Sequence, residues 1–383
     1  MNSHHFNDIP LALYIHLPWC VKKCPYCDFN SHPLTTLPED AYIESLIQDF
    51  EADRPYVQNR NITSIFFGGG TPSLFSPKSL AKLLTHINQH LNFNKNLEIT
   101  LEANPGTAEC HNFKDYKAIG INRISLGAQS FNDAMLQRLG RIHSSLETYK
   151  AVTAIEKAGF EAFNLDIMYG LPEQTLAGAL EDLTAALSLN PAHLSWYHLT
   201  LEPNTRFFHS PPTLPNEEVL LEMMQQGQSL IQNHGLKQYE VSAYAFSHSQ
   251  CQHNLNYWQF GDYLGIGAGA HGKISLQSDQ SIMRLSKKRH PKAYMENTGS
   301  FIDEQRYLTT EQLPFEFMLN LLRLNQGFDL QLFEARTGLN RSVLSKALEQ
   351  GSRQGLILHN DSQITLTDLG WRFLNDTVAL FLS

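Results

Sequence analysis

YIHLPWCVKKCPYCDF, which spans residues 14–29, places Cys20, Cys24 and Cys27 within eight residues. This C-x-x-x-C-x-x-C spacing supplies three thiolates on one short loop, one fewer than four-thiolate ligation of an iron–sulfur cluster requires. A cubane cluster held by three cysteines keeps one iron free of protein ligands. We therefore expect Cys20, Cys24 and Cys27 to hold a [4Fe–4S] cluster whose open iron can bind a further ligand.

A structural zinc site is the main alternative for these cysteines. His16, Asp28 or His32 could complete a zinc tetrahedron. Structural zinc sites usually combine two paired knuckles, however, and the other cysteines, Cys110 and Cys251, are isolated and distant. A disulfide framework is disfavoured because the chain is long and shows no sign of export. The pattern favours the cluster, with a zinc-binding interaction protein as the alternative.

The composition of the 383-residue chain is that of an ordinary globular protein, with 42% hydrophobic and 17% charged residues. Its net charge of −9 argues against a general nucleic-acid-binding protein, which needs a basic surface. The N-terminal residues lack the basic start and apolar core of a signal peptide, and no apolar run reaches the ~18 residues of a membrane span. We expect a cytoplasmic protein without a membrane span or a nucleic-acid partner.

Short apolar, β-branched runs alternate with amphipathic stretches through the first two hundred residues. The predicted strands are 11–17, 62–67, 97–101, 123–126, 162–168 and 193–201, and the predicted helices include 40–51, 78–91 and 146–158. This alternation is typical of parallel β/α units in an α/β protein. Six strands favour an incomplete (β/α)6 barrel over the full eight-stranded form.

Polar residues collect where five of these predicted strands end. The first strand leads into the cysteine loop. The next three end in GGGTP (68–72), EANP (102–105) and GAQS (127–130). The fifth carries Asp166 and runs into YGLP (169–172). Because barrel enzymes place their chemistry at the C-terminal ends of the strands, we expect these segments to meet at one site. The glycines would let the backbone approach a ligand closely, but no Gly-Lys-Ser/Thr follows them, so they do not form a phosphate loop.

The cysteine spacing followed by GGGTP resembles the radical S-adenosylmethionine (SAM) superfamily. The resemblance implies a six-stranded barrel in which SAM binds the open iron through its amino and carboxylate groups. One electron from the reduced cluster then cleaves the sulfonium to give a 5′-deoxyadenosyl radical, so an electron donor is also implied. The cofactor carries the chemistry, while the protein supplies position and electrostatics.

The same resemblance assigns SAM contacts to named residues. Gly69, Gly70 and Thr71 would lie nearest the amino group, Glu102 and Gln129 would contact the ribose and methionine region, Arg141 would hold the carboxylate, Asp166 would contact the adenosyl part, and Tyr14 would line the cluster side. An arginine forms charge-assisted bonds suited to a carboxylate. For Arg141 the alternative is an ordinary solvated helix charge.

Further motifs resemble the oxygen-independent coproporphyrinogen III oxidase family, namely YIHLPWC (14–20), GAQS and GLP (170–172). The oxidase branch of that family carries a further cysteine two positions after the third and a longer leader. Here Phe29 occupies that position, and thirteen residues precede Tyr14. The haem-chaperone branch instead combines C-x-x-C-D-F with H-N-x-x-Y-W, and this chain has CPYCDF (24–29) and HNLNYW (253–258).

The resemblance to this second branch implies a haem chaperone. It would bind haem and transfer it to an acceptor protein, with a respiratory enzyme as one candidate acceptor. The motif residues expected to bind haem are His253, Asn254, Tyr257 and Trp258. An imidazole can ligate haem iron and aromatic rings can stack on a porphyrin; Cys251 could also ligate or attach covalently. The alternative function is the oxidase reaction, a radical decarboxylation of coproporphyrinogen III; whether SAM is cleaved stays open.

The remaining sequence suggests three units, at 1–235 (radical SAM core), 236–308 (strands and loops carrying the H-N-x-x-Y-W motif) and 309–383. Residues 267–272 satisfy G-x-G-x-x-G, but no strand and helix frame them as dinucleotide binding requires, and the next residues, KISLQ (273–277), alternate like a strand. The last unit reads as helices 313–324, 330–337 and 341–354, two short strands joined at Asn360-Asp361, and a helix 368–382, the order of a winged helix. Its five basic and five acidic residues from Gln331 onward argue against DNA binding, so we expect a lid or a docking surface.

Overall fold

The computed structural model describes residues 6, 9–91, 93, 96–106, 112–360 and 362–382. The strands are β1 (Leu11–Leu17), β2 (Trp19–Cys20), β3 (His32–Pro33), β4 (Ile62–Gly69), β5 (Glu98–Ala103), β6 (Arg123–Gln129), β7 (Ala162–Tyr169), β8 (His193–His198), β9 (Lys237–Gln238), β10 (Ala243–Ala245), β11 (Asp262–Ile266), β12 (His271–Leu276), β13 (Ser281–Lys287), β14 (Ile302–Tyr307), β15 (Phe328–Asp329), β16 (Ile357–His359) and β17 (Gln363–Leu366). The α-helices are Glu39–Asp53, Pro77–Leu91, Phe113–Ala118, Asp133–Arg138, Ser145–Lys157, Leu176–Ser188, Arg206–His209, Glu217–Asn233, Gln252–Trp258, Pro291–Met295, Leu313–Leu321, Leu330–Thr337, Ser345–Arg353, Asp368–Arg372 and Leu374–Ala379.

Six parallel strands form the centre of one large sheet, in the order β1-β4-β5-β6-β7-β8. Each of the six predicted apolar runs corresponds to one of them, which confirms the predicted fold class. In the described part of the chain the ladder ends at β14 on one side and β9 on the other, with β8 paired to β10 rather than back to β1. The barrel is therefore incomplete, as predicted.

These strands are buried on both faces, which explains their continuous apolar runs. In β1, all residues but the half-buried Tyr14 are buried. Helices cover the outside with one apolar face each: Pro77–Leu91 buries Leu80, Leu83 and Leu84 among others. The helix Ser145–Lys157 begins with a capping box, in which the side chains of Ser144 and Glu147 each accept from the other's backbone N–H.

The predicted middle unit, residues 236–308, here called the middle segment, adds strands to the same sheet and does not form a separate one. Strand β11 pairs in parallel with β1, and β12, β13 and β14 continue outward in antiparallel fashion. The H-N-x-x-Y-W motif, expected among strands and loops, lies on the helix Gln252–Trp258, which packs against β4. The helix thus lies against β4 and also contacts β1, the strand that leads into the cysteine loop.

The G-x-G-x-x-G run joins β11 to β12 and passes beneath the cysteine loop. Gly267 has a φ of +105°, and a Cβ there would lie 2.4 Å from the carbonyl oxygen of His16. A Cβ on Gly269 would lie 2.3 Å from the side-chain nitrogen of Asn30. These glycines are required for backbone packing, since L-residues rarely adopt such φ values. The strand predicted after them is β12.

The C-terminal residues form a second core with a three-stranded sheet in the order β15-β17-β16. Phe317, Phe333 and Ile364 lie at its centre, and Phe260 from the middle segment joins it. The predicted helix 341–354 begins as a 3-10 turn, Arg341–Leu344, before the helix Ser345–Arg353. The predicted helix 368–382 is broken at Phe373, whose ψ of 44° interrupts the helical backbone. Asp361, at the predicted turn, is outside the described residues.

No helix in the described ranges has the length and apolarity needed to cross a membrane.

Candidate cofactor site and the adjoining cavity

The cysteine loop leaves β1 and is fixed by backbone contacts. Cys20 belongs to β2, which pairs with β3, and the N–H of Cys27 donates to the carbonyl of Cys24 at 3.2 Å. The ammonium of Lys23 donates to the carbonyl oxygens of Phe29 and Ser31 at 3.0 and 3.2 Å. The loop therefore has a defined shape, with all three cysteines half-buried.

The spacing of the three sulfurs favours a cluster over a single zinc ion. Among the described residues, only Glu51, His86 and His90 bring three candidate ligand atoms within 4.8 Å of one another, so the cysteine sulfurs stand farther apart. A tetrahedral zinc ion bound at about 2.3 Å would hold its sulfurs about 3.8 Å apart. His16 is also engaged elsewhere, because Nδ1 accepts from the Tyr14 hydroxyl at 2.9 Å and Nε2 donates to the Asn30 carbonyl at 2.8 Å.

A cavity of about 310 Å³, here called the cysteine cavity, brings most of the predicted site together at the C-terminal ends of the strands. Its lining includes Cys20, Cys24, Cys27, Gly69, Gly70, Thr71, Glu102, Gln129, Arg141 and Asp166. Tyr14 is elsewhere: it faces the neighbouring cavity. Residues from β4, β5, β6 and β7 thus converge on the cysteine loop, as the strand-end pattern predicts.

The three glycines at the end of β4 are fixed by packing and have few free backbone donors. A Cβ on Gly70 would lie 2.5 Å from the carbonyl oxygen of Trp19, and one on Gly69 would lie 2.5 Å from the His16 ring. The N–H of Gly69 donates to Glu102 at 3.0 Å, and those of Gly70 and Thr71 donate to backbone carbonyls. Their small size therefore lets β4 pass directly under the cysteine loop.

Two buried carboxyl groups face the cysteine cavity. Burial, together with the nearby Asp166, raises the pKa of Glu102 to about 8. Burial also raises the pKa of Asp166, against the effect of hydrogen bonds from Asn164 at 2.8 Å and Ser125 at 3.1 Å. Both groups would be stabilised in their charged forms by a ligand that carries a positive charge or hydroxyl donors.

Arg141 lies inside the site and is not a solvated helix charge. Its guanidinium donates to the carbonyl of Gly127 at 2.8 Å and to the side-chain oxygen of Asn104 at 2.5 Å, and it lies 3.8 Å from the sulfur of Cys24. Its Nε is buried and meets no hydrogen-bond acceptor among the described residues. The group can therefore donate to an acceptor that enters the cavity.

Gln129 closes the far side of the cavity in an uncommon backbone conformation. Its φ is +67°, at the irregular end of β6, where a non-glycine residue is disfavoured. The hydroxyl of Tyr197 donates to its side-chain oxygen at 2.7 Å. Tyr197 was not among the predicted site residues, although it falls in the sixth predicted strand, the one strand to which no site residue was assigned.

The motif histidine is closed off by its neighbours. His253 is 1% exposed; its Nδ1 lies 2.9 Å from the hydroxyl of Ser64 and its Nε2 lies 3.0 Å from the hydroxyl of Tyr257. Burial lowers the pKa of His253 to about 3, so the ring is neutral. Either tautomer leaves both nitrogens engaged. In the structure His253 contacts Ser64 and Tyr257 and lines neither cavity.

The other motif residues differ in whether they line a cavity. Tyr257 and Trp258 line the larger cavity described next, whereas Asn254 is half-buried on the same helix and lines neither cavity. Burial and then the carboxylate of Glu98 raise the pKa of Cys251 to about 12, and its Sγ lies 3.5 Å from that carboxylate. A protonated, buried thiol is a poor ligand and nucleophile.

A second cavity of about 680 Å³, here called the aromatic cavity, adjoins the first and shares Phe29, Gly69 and Glu102 with it. One wall is aromatic and the other is the face of β12 and β13. The aromatic residues are Tyr14, Phe29, Tyr257, Trp258, Phe260 and Tyr263, the basic residues and histidines are His16, His271, Lys273, Arg284 and Arg289, and the acidic residues are Asp28, Glu102, Asp303 and Glu304. Phe29, one of its lining residues, is 59% exposed.

A third depression, the basic groove, lies on the other face of the cysteine loop. It is lined by Lys22, Lys23, Arg138 and Arg206 and touches Cys24 and Cys27. Its lining contains no acidic residue, although the whole chain has 38 acidic and 29 basic residues. The cysteine loop is therefore a thin wall between this groove and the cysteine cavity.

Comparison with known proteins extends these observations over the whole chain. Residues 14–186 match the Radical SAM superfamily and residues 308–373 match the HemN C-terminal domain. The heme chaperone HemW of Haemophilus influenzae is 49% identical over 379 residues and that of Escherichia coli is 47% identical over 375 residues, each covering 98% of both chains. A radical S-adenosyl methionine domain-containing protein 1, mitochondrial, of Bos taurus is 37% identical and covers 97% of this chain and 87% of its own.

A solved structure supports the architecture. Escherichia coli coproporphyrinogen III oxidase (HemN), a radical SAM enzyme, superimposes with a TM-score of 0.84 over 100% of this chain and 92% of its own, at 21% identity. At that identity the likeness establishes the fold alone. The HemW relatives, by contrast, align at much higher identity from end to end. The chain therefore belongs to the HemW family of the radical SAM superfamily.

Proposed function

We propose that this protein is a haem chaperone that binds haem in the aromatic cavity and passes it to an acceptor protein. The observation that carries the proposal is the aromatic cavity itself, because its broad aromatic faces and basic groups suit a porphyrin with two carboxylates. It adjoins the cysteine cavity directly through Gly69 and Glu102. The relatives at 47% and 49% identity carry the name heme chaperone.

The donor set of the cysteine cavity fits a three-cysteine [4Fe–4S] cluster with SAM on the open iron. Cys20, Cys24 and Cys27 would hold the cluster, and the unsatisfied Nε of Arg141 supports a carboxylate acceptor beside Cys24. When bound, the cluster and SAM supply a one-electron reductive cleavage of the sulfonium.

The remaining residues of the cysteine cavity would position SAM. Gly69, Gly70 and Thr71 would lie beside its amino group, while Glu102 and Gln129 would contact the ribose and methionine region. Asp166 would accept from the adenosyl part, because a hydroxyl or amine donor there would stabilise the charged form of this buried carboxyl group. Tyr14 would act from the other cavity, by holding His16 and with it the cysteine loop.

The electron donor is proposed to dock on the basic groove. The groove brings Lys22, Lys23, Arg138 and Arg206 together beside Cys24 and Cys27, two of the residues that would hold the cluster. An acidic one-electron carrier protein would match this surface, since complementary charges accelerate association. Arg138 is already paired with Glu173, so Lys22 and Arg206 are the stronger contributors.

Anaerobic titration of the cluster-reconstituted protein with haem tests the proposed function. A saturable absorption change at one equivalent of haem, with transfer of the bound haem to an apo-haemoprotein such as apomyoglobin, is the expected result. Incubation with coproporphyrinogen III, SAM and reductant should yield no protoporphyrinogen. Catalytic formation of that product would instead establish the oxidase function, and non-saturable haem uptake would remove the chaperone proposal.

A further inference from the structure

The face of β12 and β13 that forms the floor of the aromatic cavity follows strand alternation. His271 and Lys273 lie two residues apart on β12, directly opposite Ser286 and Arg284 on β13. Alternate residues of a strand share one face, so all four side chains point the same way, and all four line the cavity. His271 is the first residue of β12, and it lines the same cavity as the motif residues Tyr257 and Trp258.

The histidines near the cavity differ in whether their ring nitrogens are free to bind a metal. His16 has both nitrogens engaged by Tyr14 and Asn30, and His253 has both engaged by Ser64 and Tyr257. His271 is exposed, and within the described ranges its ring makes no hydrogen bond. Of the two histidines that line the aromatic cavity, His271 is therefore the one whose nitrogens can reach a ligand.

The charges around His271 suit the rest of a haem molecule. Lys273 is committed to Asp262 at 2.8 Å, and Arg284 is committed to Tyr263 at 2.9 Å and Glu316 at 2.6 Å. Arg289, by contrast, is exposed, and its guanidinium has no hydrogen-bond partner in the described part of the chain. Among the described residues of the lining, Arg289 is therefore the basic side chain free to pair with a carboxylate, although the carboxylate of Glu304 also lies near His271.

We infer that His271, and not the motif residue His253, is the ligand of haem iron, with Arg289 pairing to a haem carboxylate. This inference rests on the proposed function. The neutral ring donates a nitrogen lone pair to iron, and no proton or electron is exchanged. The pKa of His271 is lowered by partial burial and then by Arg289 and Arg284, which keeps the ring unprotonated at neutral pH. The role of His253 is then to hold Tyr257 against the cavity.

The test measures two properties of the full-length, cluster-reconstituted protein, namely the ligand of the haem iron and the affinity for haem. Haem is titrated into the wild type and the variants His271→Ala, His253→Asn and His248→Ala, the last an exposed histidine outside the cavity. Optical and electron paramagnetic resonance spectra report the iron ligand. We expect His271→Ala to lose the histidine-ligated spectrum and to bind haem about tenfold more weakly or worse. Added imidazole should restore the spectrum.

Each outcome separates the inference from the proposed function. His253→Asn should weaken haem binding through Tyr257 while keeping the wild-type ligand spectrum, and His248→Ala should change neither. If His271→Ala keeps the wild-type spectrum, or if His253→Asn loses it and imidazole restores it, the assignment of His271 is wrong while the chaperone function stands. If the wild type itself binds no haem stoichiometrically, the proposed function fails. Cluster absorbance and thermal unfolding show whether each variant is folded.

Discussion

Gly69 sits where one added methyl group would reach the ring of His16. Its φ of +116° is strained for other residues, and a Cβ would lie 2.5 Å from the ring. We expect Gly69→Ala to lower the free energy of unfolding by about 2–4 kcal/mol and to reduce cluster content, because His16 holds the cysteine loop through Asn30. Urea unfolding and iron and sulfide analysis measure both effects.

Gly159→Ala is the matched control for that substitution. Gly159 also has a positive φ, +80°, but a Cβ there would meet nothing within 4 Å. It should therefore show the backbone effect alone, about 1 kcal/mol, with normal cluster content. Equal losses of stability and of cluster in the two variants would show that the contact with His16 has no special importance.

Glu102 should make the stability of the cofactor-free protein depend on pH. Burial and Asp166 raise the pKa of Glu102 from 4.5 to about 8 in the folded protein. The folded state therefore holds a proton that the unfolded chain has released, and the stability contributed by protonated Glu102 is complete below pH 4.5 and is lost as the pH rises towards 8. Glu102→Gln should remove this dependence.

The difference between the variant and the wild type gives the size of the effect. We expect the difference in free energy of unfolding, Glu102→Gln minus wild type, to rise by at most about 1.4 kcal/mol for each pH unit between pH 4.5 and 8. Urea titrations at pH 5.5 and 7.5 measure it, with Glu296→Gln, an exposed carboxylate, as control. A constant difference across pH would mean that Glu102 is ionised in the folded protein.

At the scale of elements, the parallel strands were predictable and the partners of the motif helix were not. Strands buried on both faces leave continuous apolar runs, so all six could be located from the sequence. The seven residues Gln252–Trp258 are mostly polar and too few for a clear helical period. The engagement of His253 by Ser64, 189 residues away, leaves no local signal at all. The motif thus indicated a region that borders the aromatic cavity, and the residue that ligates haem iron stays a prediction.

The cysteine loop as an element separates a ligand cavity from a basic surface. Arg206 belongs to the surface alone, because it lines the basic groove and not the cysteine cavity. We expect Arg206→Glu to slow reduction of the cluster by an acidic one-electron flavoprotein about tenfold at low ionic strength, and less at 0.1 M salt, where charges are screened beyond about 10 Å. Stopped-flow absorption measures the rate.

Chemical reduction provides the control for docking. Dithionite should reduce the clusters of Arg206→Glu and the wild type at the same rate, because it needs no protein surface. Lys292 is exposed and does not line the basic groove, so Lys292→Glu should leave reduction by the flavoprotein unchanged. A flavoprotein rate that is insensitive to Arg206→Glu would place electron delivery on another surface.

At the scale of the whole molecule, one sheet joins the cofactor site to the proposed cargo site. Strands β11 to β14 extend the barrel sheet beyond β1, so the aromatic cavity is built against the same strand that leads into the cysteine loop. The sequence predicted strand character after residue 272 but not this pairing, which depends on contacts between residues about 250 positions apart, as in the pairing of Leu11 with Asp262. The boundaries at 235 and 308 stay a prediction.

The C-terminal unit closes against the motif helix. The guanidinium of Arg323 lies 4.4 Å from the ring centre of Trp258, and Asn320 contributes to the lining of the aromatic cavity. The unit therefore contributes to the lining of the aromatic cavity, and its role as a lid or a docking surface stays a prediction.

The central claim, that haem occupies the aromatic cavity, is tested most directly by filling that cavity. Ser286 lies on its floor opposite His271, whereas Gln305 is exposed on the neighbouring strand β14 and does not line it. Haem titration of Ser286→Trp and the control Gln305→Trp is the decisive measurement. We predict that Ser286→Trp binds haem at least about tenfold more weakly, equivalent to about 1.4 kcal/mol, while its cluster content and SAM affinity stay normal. Wild-type haem affinity in a folded Ser286→Trp protein would contradict the account.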